Sequence, residues 1–339
     1  MSDIIVATSA GVELRTLLFR EYDFEIGDKE NSFLITCNRS EWENIPDNAR
    51  IYIPGTEYGG IYKHLESETK DGSVAVGGYT WRGMLQNQIL CPPSGSNYAR
   101  DTGELNAVIA ARVSTALPGL FEGSSESTGV TVTSYRYNRY CTLYDGLKDM
   151  LKSVGYKMRI TYSQERGKVI VDAVPIVDYS NQIEYSSDMN ANYSMTIDKM
   201  GVNHLICLGQ GELKNRTVVH LYSDVNGVIS RTQTQFGEDE VADVYDYAGA
   251  ELDDLIQSGT DTLKDKTSKN EFSIDLETVQ DVAVGDIVGS RDYITGNAMT
   301  APITTKVVKW QSGFESIEYQ LSEDVTVEQT PATLMATED

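Results

Sequence analysis

Histidine and cysteine are scarce in this chain: three His and four Cys among 339 residues. Cys37, Cys91, Cys141 and Cys207 stand too far apart for any C-x-x-C pair, which excludes the usual zinc clips and dithiol redox motifs. Free, partly buried thiols in a reducing compartment are expected instead. Positive charge is also short. Lys and Arg number 28 against 51 Asp and Glu, a formal net charge of −23. A surface this acidic repels phosphate, so sequence-specific nucleic-acid recognition through a basic groove is not expected; solubility is the plainer role of the charge. No apolar run reaches the length of a membrane span, and the start, Met1-Ser2-Asp3-Ile4-Ile5-Val6, has neither a basic n-region nor a long apolar core. A soluble chain made in the cytosol, without stable membrane insertion, is expected. Nucleotide and acyl-transfer motifs are missing too. There is no Walker motif and no G-x-S-x-G elbow, and Gly209-Gln210-Gly211 lacks the third glycine and the helix of a dinucleotide site, so it reads as a strand-to-strand turn.

What is present supports a packed, β-rich protein. Hydrophobic residues make up 40% and charged residues 23%, enough apolar surface for a core. The length suits two or three domains. Tyrosine outnumbers phenylalanine, 20 to 7, which suits half-buried sheet faces and interfaces. Short strand signals, Asp23-Phe24-Glu25-Ile26 and Ser32-Phe33-Leu34-Ile35-Thr36-Cys37 among them, fill residues 1–92 and predict a sandwich or small barrel. Cys91-Pro92-Pro93-Ser94-Gly95 marks a boundary. An α+β domain over 93–181 follows. It holds a helix through Leu105, Val108, Ile109 and Val113, a second helix capped by Thr142 with Leu143, Leu147, Met150 and Leu151 on one face, and a hairpin turning at Arg166-Gly167. Strands resume over 182–238 and 269–325 as a second β-domain. The stretch 239–268 between them is read as an inserted acidic-fronted helix packing with the α+β domain, since Glu238 to Asp254 holds eight acids and no base around an apolar stripe. Residues 326–339 read as a flexible acidic tail.

Candidate chemistry is thin. His64, His204 and His220 sit within strand signals, and His204 and His220 could face each other across a hairpin, but no third ligand is spaced to complete a metal site. Carboxylate pairs for glycan hydrolysis can be nominated at Glu41 and Glu43 or at Asp253 and Asp254; such acids are more simply solvated faces. Asp286 and Asp292, near Gly285 and Gly289, lack the spacing of a calcium loop and read as turn residues. No catalytic, cofactor-binding or metal-binding residue is assigned, and no cofactor is expected. Trp42, Trp81 and Trp310 on one exposed face would favour a carbohydrate- or receptor-binding module, whereas their burial would favour a structural role.

The order of elements carries a resemblance. Leu143-Tyr144-Asp145-Gly146-Leu147 through Gly155-Tyr156 with its hairpin, Val202 through Gly211, and Val284-Gly285-Asp286-Ile287-Val288 closed by Ile317-Glu318-Tyr319-Gln320-Leu321 resemble the tail-hub or baseplate-hub family of phages and related injection systems. The resemblance implies a mainly β (α+β) fold with two related antiparallel β-barrel domains, Trp81 in the core of one and Trp310 in the core of the other. It implies a non-enzymatic virion component, a homotrimer whose barrels alternate in a pseudo-sixfold ring, assembled in the bacterial host cytoplasm. Partners would be a tail-tube or distal-tail protein and a tip spike, fibre or tape-measure protein. A short form without a C-terminal enzymatic domain is expected. A receptor- or carbohydrate-binding tail-tip module and a cell-wall glycan hydrolase are the alternative readings.

Overall fold

The computed structural model describes residues 3–180, 193–274, 282–292, 295–323 and 325–329. Contacts divide these residues into two units. One falls within Met1–Val177, Leu276–Asp286 and Ile303–Gln320, the other within Asp178–Asp275, Ile287–Pro302 and Leu321–Asp339.

The first unit opens with β1 (Ile4–Ala7), β2 (Glu13–Leu17), β3 (Phe19–Gly27), β4 (Ser32–Asn38), β5 (Arg50–Tyr52), β6 (Gly59–Ser67) and β7 (Ser73–Thr80). Their side chains alternate as a sheet with one covered face demands: Tyr22, Phe24 and Ile26 on β3 and Phe33, Ile35 and Cys37 on β4 are buried, while Leu34 and Thr36 lie outward. Antiparallel pairing runs in the order β3-β4-β7-β6-β5-β1-β2, with Phe24 opposite Phe33. Thr80 ends β7 and caps α1 (Trp81–Gln86) by accepting the Gly83 N–H.

Further along this unit come β8 (Arg100–Glu104), α2 (Leu105–Ala116), β9 (Phe121–Gly123), β10 (Thr131–Arg136), α3 (Leu143–Lys152), β11 (Tyr156–Ser163) and β12 (Lys168–Pro175). Leu105, Val108, Ile109 and Val113 form the buried face of α2. Thr142 caps α3 through its hydroxyl oxygen, which accepts the Asp145 N–H at 2.9 Å. Leu143, Leu147, Met150 and Leu151 bury the apolar side of that helix. β11 and β12 pair from Tyr156↔Pro175 to Ser163↔Lys168, and β9 joins β12 in parallel. Tyr162 lies against Tyr52, ring centroids 3.9 Å apart, and stacks on Trp81 at 5.4 Å, joining the hairpin to α1 and β5. Each such pair adds about 1 kcal/mol beyond its area burial.

In the second unit lie β13 (Tyr193–Thr196), β14 (His204–Leu208), β15 (Val218–Ser223), β16 (Ile229–Ser230), β17 (Ala242–Asp246), α4 (Leu252–Lys266) and β18 (Glu271–Ile274). β14 pairs antiparallel with β15 and parallel with β17, and β13 pairs with β18. Leu255, Gly259 and Leu263 of α4 lie on one face and bury against the sheet core of Leu205, Cys207, Val219 and Leu221. The closing strands are β19 (Ile287–Asp292), β20 (Asn297–Gln311), β21 (Phe314–Leu321) and β22 (Thr326–Gln329). β20 serves both units: Asn297 to Pro302 pairs with β19, and Thr305 to Trp310 pairs with β3.

The chain is mainly β with predominantly antiparallel sheets, as the sequence predicts. Among the described residues no sheet closes into a barrel. The stretch 239–268 is not one helix. Ala242–Asp246 is a strand, because its backbone supplies the second edge partner that β14 needs, and the helix begins only at Leu252. Residues 326–329 of the expected tail form β22; 330–339 lie outside the described residues, as do 275–281 of the expected second β-domain and 181–192 at the predicted second boundary.

Candidate functional site

The segment Val284-Gly285-Asp286 builds the most enclosed charged site. Gly285 has φ +95°, a left-handed turn that glycine accepts without strain. Its N–H donates to the Ile303 carbonyl at 2.8 Å, and the Ile303 N–H returns to the Asp286 carbonyl at 2.8 Å. The Asp286 side chain is 1% exposed. Its Oδ1 accepts the Val177 N–H at 2.9 Å, and its Oδ2 accepts the Ala283 N–H at 3.0 Å and pairs with Lys157 Nζ at 2.5 Å. A carboxylate saturated by two amides and an ammonium is a clamp joining β11, the chain beyond β12 and the turn before β19. The side chain of Asp292, the other half of the calcium-loop pairing, lies outside the described residues.

Two further polar nodes lie in the first unit. Arg82 on α1 donates through Nε and Nη2 to Glu57 at 2.8 and 2.7 Å, and through Nη1 to the Tyr144 hydroxyl at 3.3 Å. Burial works against the Arg82 charge, but Glu57 outweighs it and the guanidinium is held protonated. Arg112 grips both oxygens of Asp101 at 2.8 Å, and the Tyr137 hydroxyl donates to the same carboxylate at 2.7 Å. Burial, then that hydrogen bond, pushes the Tyr137 phenol above the usual tyrosine range, so it remains a neutral donor. Sequence reasoning missed both nodes. Their members lie far apart in sequence, with no local spacing to announce them.

In the second unit the sequence places His204 and His220 together across β14 and β15, and the structure does so: His204 Nε2 and His220 Nδ1 are 2.8 Å apart. The other His204 nitrogen meets the Glu240 carboxylate, and its ring stacks on Tyr222 at 4.4 Å. His204 thus spends both ring nitrogens, one on His220 and one on Glu240. His64 is exposed beside Glu66. Among the described residues no group of three or more His, Cys, Asp or Glu is placed to hold a metal ion. Gly209-Gln210-Gly211 forms a turn in which Gly209 N–H donates to Thr217 O and Thr217 N–H to Gln210 O, both at 2.8 Å.

The nominated carboxylates do not converge into clefts. Glu41 sits on a short 3-10 turn, where its Oε2 accepts the Leu18 N–H at 3.4 Å, and Glu43 is exposed after it. Asp253 and Asp254 are exposed on the first turn of α4, where adjacent positions point apart. Trp81 is fully buried. Trp42 stacks edge-on against Tyr62, and Trp310 packs half-buried on Tyr22 and Phe19. Trp310 therefore belongs to the core of the first unit, contrary to the expectation of a second core, because the register of β20 sets it opposite Tyr22. The four cysteines are free, Cys37 and Cys207 buried and Cys91 exposed.

No protein-family model matches this chain, and no curated protein is similar to it in sequence. The fold is nevertheless that of phage tail proteins, in keeping with the resemblance carried by the order of elements. The chain is similar to the 43 kDa tail protein of prophage MuSo2 from Shewanella oneidensis, with a TM-score of 0.50 and 11% identity over 96% of this chain and 97% of that one. Solved neighbours also include a tail protein from Neisseria meningitidis, at TM-score 0.49 and 13% identity over 94% of this chain and 95% of that one. A prophage tail protein from Listeria monocytogenes stands at TM-score 0.49 and 15% identity, covering 94% of each chain.

Proposed function

We propose that this chain is a structural subunit of the tail tip or baseplate hub of a phage or phage-like injection particle. The observation that carries the reading is its likeness of fold, nearly end to end, to a phage tail protein. The site chemistry is in accord with it: Asp286 is held by two backbone amides and Lys157, and Asp101 by Arg112 and the Tyr137 hydroxyl, the arrangement of a scaffold rather than of a catalyst. The packing of Trp42, Trp81 and Trp310 favours the structural reading over sugar stacking. In this proposal the chain forms a trimeric pseudo-sixfold ring between tail tube and tip, whose acidic lumen repels DNA and lets it or the tape-measure protein slide. Piercing or digestion then belongs to other subunits.

The test is localisation and copy number. Particles made from the source genome are labelled with gold-tagged antibody against this chain, and copies are counted by quantitative mass spectrometry. Label at one end of the tail with three copies per particle is expected. Absence from particles refutes the tail reading, and label along the whole tube refutes the hub. A neutral or basic lumen in the assembled ring refutes the sliding surface.

A further inference from the structure

The outward face of β3, β4 and β7 carries exposed apolar side chains beside a row of acids on the β3 side. Register creates it: Asp23 lies opposite Leu34, Leu34 opposite Gly77, and Gly77 opposite His64. One pleat along, Glu25 is opposite Ser32 and Ser32 opposite Tyr79. Residues two apart on a strand share a face, so these two rungs lie side by side. Gly77 contributes no side chain, and a trench of about 530 Å³ opens over it, with Asp23, Glu25 and Glu30 among its lining residues on the β3 side and Lys63 and His64 on the β6 side. Leu34 is 46% exposed and Tyr79 50% exposed. Burial, then the charges of Glu30 and Asp23, hold the Glu25 carboxyl above its usual range; burial raises Asp23 more than Lys309 lowers it. An added cation would relieve both.

We propose that this trench seats an extended basic segment of a neighbouring protein, its apolar side chains on Leu34 and Tyr79 and its Lys or Arg side chains against Asp23, Glu25 and Glu30. The inference rests on the reading of the chain as a subunit of a larger particle. Charge complementarity selects the occupant: a second copy would bring a net −23 to the acids of the β3 side, whereas a basic chain is drawn to them. An extended segment repeats its side chains at the same two-residue period as the strands below, so charged and apolar positions fall in register with those acids and the floor.

The probe is a short peptide alternating Lys with Leu, titrated calorimetrically into the full chain at two salt concentrations, with a Glu-for-Lys peptide as counterpart. The basic peptide alone should bind, more weakly at high salt. Asp23→Lys/Glu25→Lys and, separately, Leu34→Glu should each weaken binding by about tenfold or more, about 1.4 kcal/mol. Glu212→Lys/Glu238→Lys, the same change of charge at exposed positions of the other unit, should leave it unchanged. No binding, or equal weakening by both charge reversals, overturns the trench. Circular dichroism confirms that each variant is folded. The Asp23→Lys/Glu25→Lys chain is then supplied to particles. A folded variant left out of particles that take up the wild type supports the proposal, and equal uptake sinks the trench while leaving the tail reading standing. If the wild type is itself absent, the tail reading fails and the peptide titration alone decides the trench.

Discussion

Asp286→Asn should be among the most damaging single-atom changes in the first unit. The substitution replaces one carboxylate oxygen by an NH2 group at a side chain 1% exposed, leaving either the Ala283 or the Val177 N–H without an acceptor. It also strips the counter-charge from Lys157, whose side chain is only 12% exposed. Removing one partner of a buried ion pair costs about 3–5 kcal/mol. We place this case near about 3 kcal/mol, because the Lys157 stem has some reach toward solvent. Taking a urea m-value of about 2 kcal/mol/M, the midpoint should fall by about 1.5 M. Lys157→Met removes the ammonium but leaves Asp286 its two amide donors, so its cost is smaller. The double variant should be less damaged than the sum of the singles, with a coupling of about 1–3 kcal/mol. Tryptophan fluorescence is the assay of choice, since Trp42, Trp81 and Trp310 all lie in the unit that holds Asp286. A midpoint shift for Asp286→Asn below about 0.3 M, or strict additivity in the double variant, would refute the clamp.

Gly259→Ala should destabilise the chain, although the same exchange in an open helix gains about 1 kcal/mol. A Cβ at 259 would meet Cys207 Sγ at 2.5 Å and Leu221 Cδ1 at 3.0 Å, and overpacking costs about 1–3 kcal/mol. Thermal melts should show the loss vanish in a Cys207→Ala background; stabilisation in the wild-type background would contradict the close seating of α4. Burial raises the Glu104 carboxyl, but hydrogen bonds from Thr128 and the Ala107 N–H outweigh it and hold it below the usual range. With the folded pKa depressed, this stabilisation is complete above the unfolded value and is lost as pH falls through the folded one. The stability difference between wild type and Glu104→Gln should therefore be largest near neutrality and shrink in acid; a pH-independent difference rules this out. With Ellman's reagent Cys91 should react at once, whereas Cys37, its thiol pushed up to about 11 by burial first and by Glu41 second, and Cys207 should react only on unfolding. Rapid reaction of all four thiols in the folded chain would contradict the two cores.

Much of the first unit is legible because its signals are local. Thr142 followed by apolar residues at helical spacing places α3, and Arg166-Gly167 between two alternating runs places the β11–β12 hairpin. The approach of His204 to His220 follows from two strands that are consecutive in the chain and pair antiparallel. Elements whose partners are remote are not legible in this way. α1 has only six residues, β9 only three, and β9 gains its place by parallel pairing with β12. The Arg82–Glu57 and Asp101–Arg112–Tyr137 nodes depend on which elements meet, and Trp310 finds its core through the register of β20 on β3. Side-chain periodicity carries none of that information.

The acidic stretch isolates the physical reason. Glu238 to Asp254 looks unsuited to a sheet, and its apolar residues suggest a helix face. Yet β14 carries buried Leu205 and Cys207, and β15 satisfies only one of its edges; the other needs a strand for its backbone N–H and C=O groups. Ala242–Asp246 meets that need, and the acids it brings are neutralised where they land: Asp243 by Lys266 of the following helix, which with the Val244 N–H holds its carboxyl below the usual range, and Asp246 by Arg216. Each Asp is paired with a cation from another element, so the strand avoids the repulsion its composition suggests. Backbone pairing at the open edge of β14 therefore decides the conformation, and the charges follow. A reader of sequence sees the charges first and the vacant edge not at all.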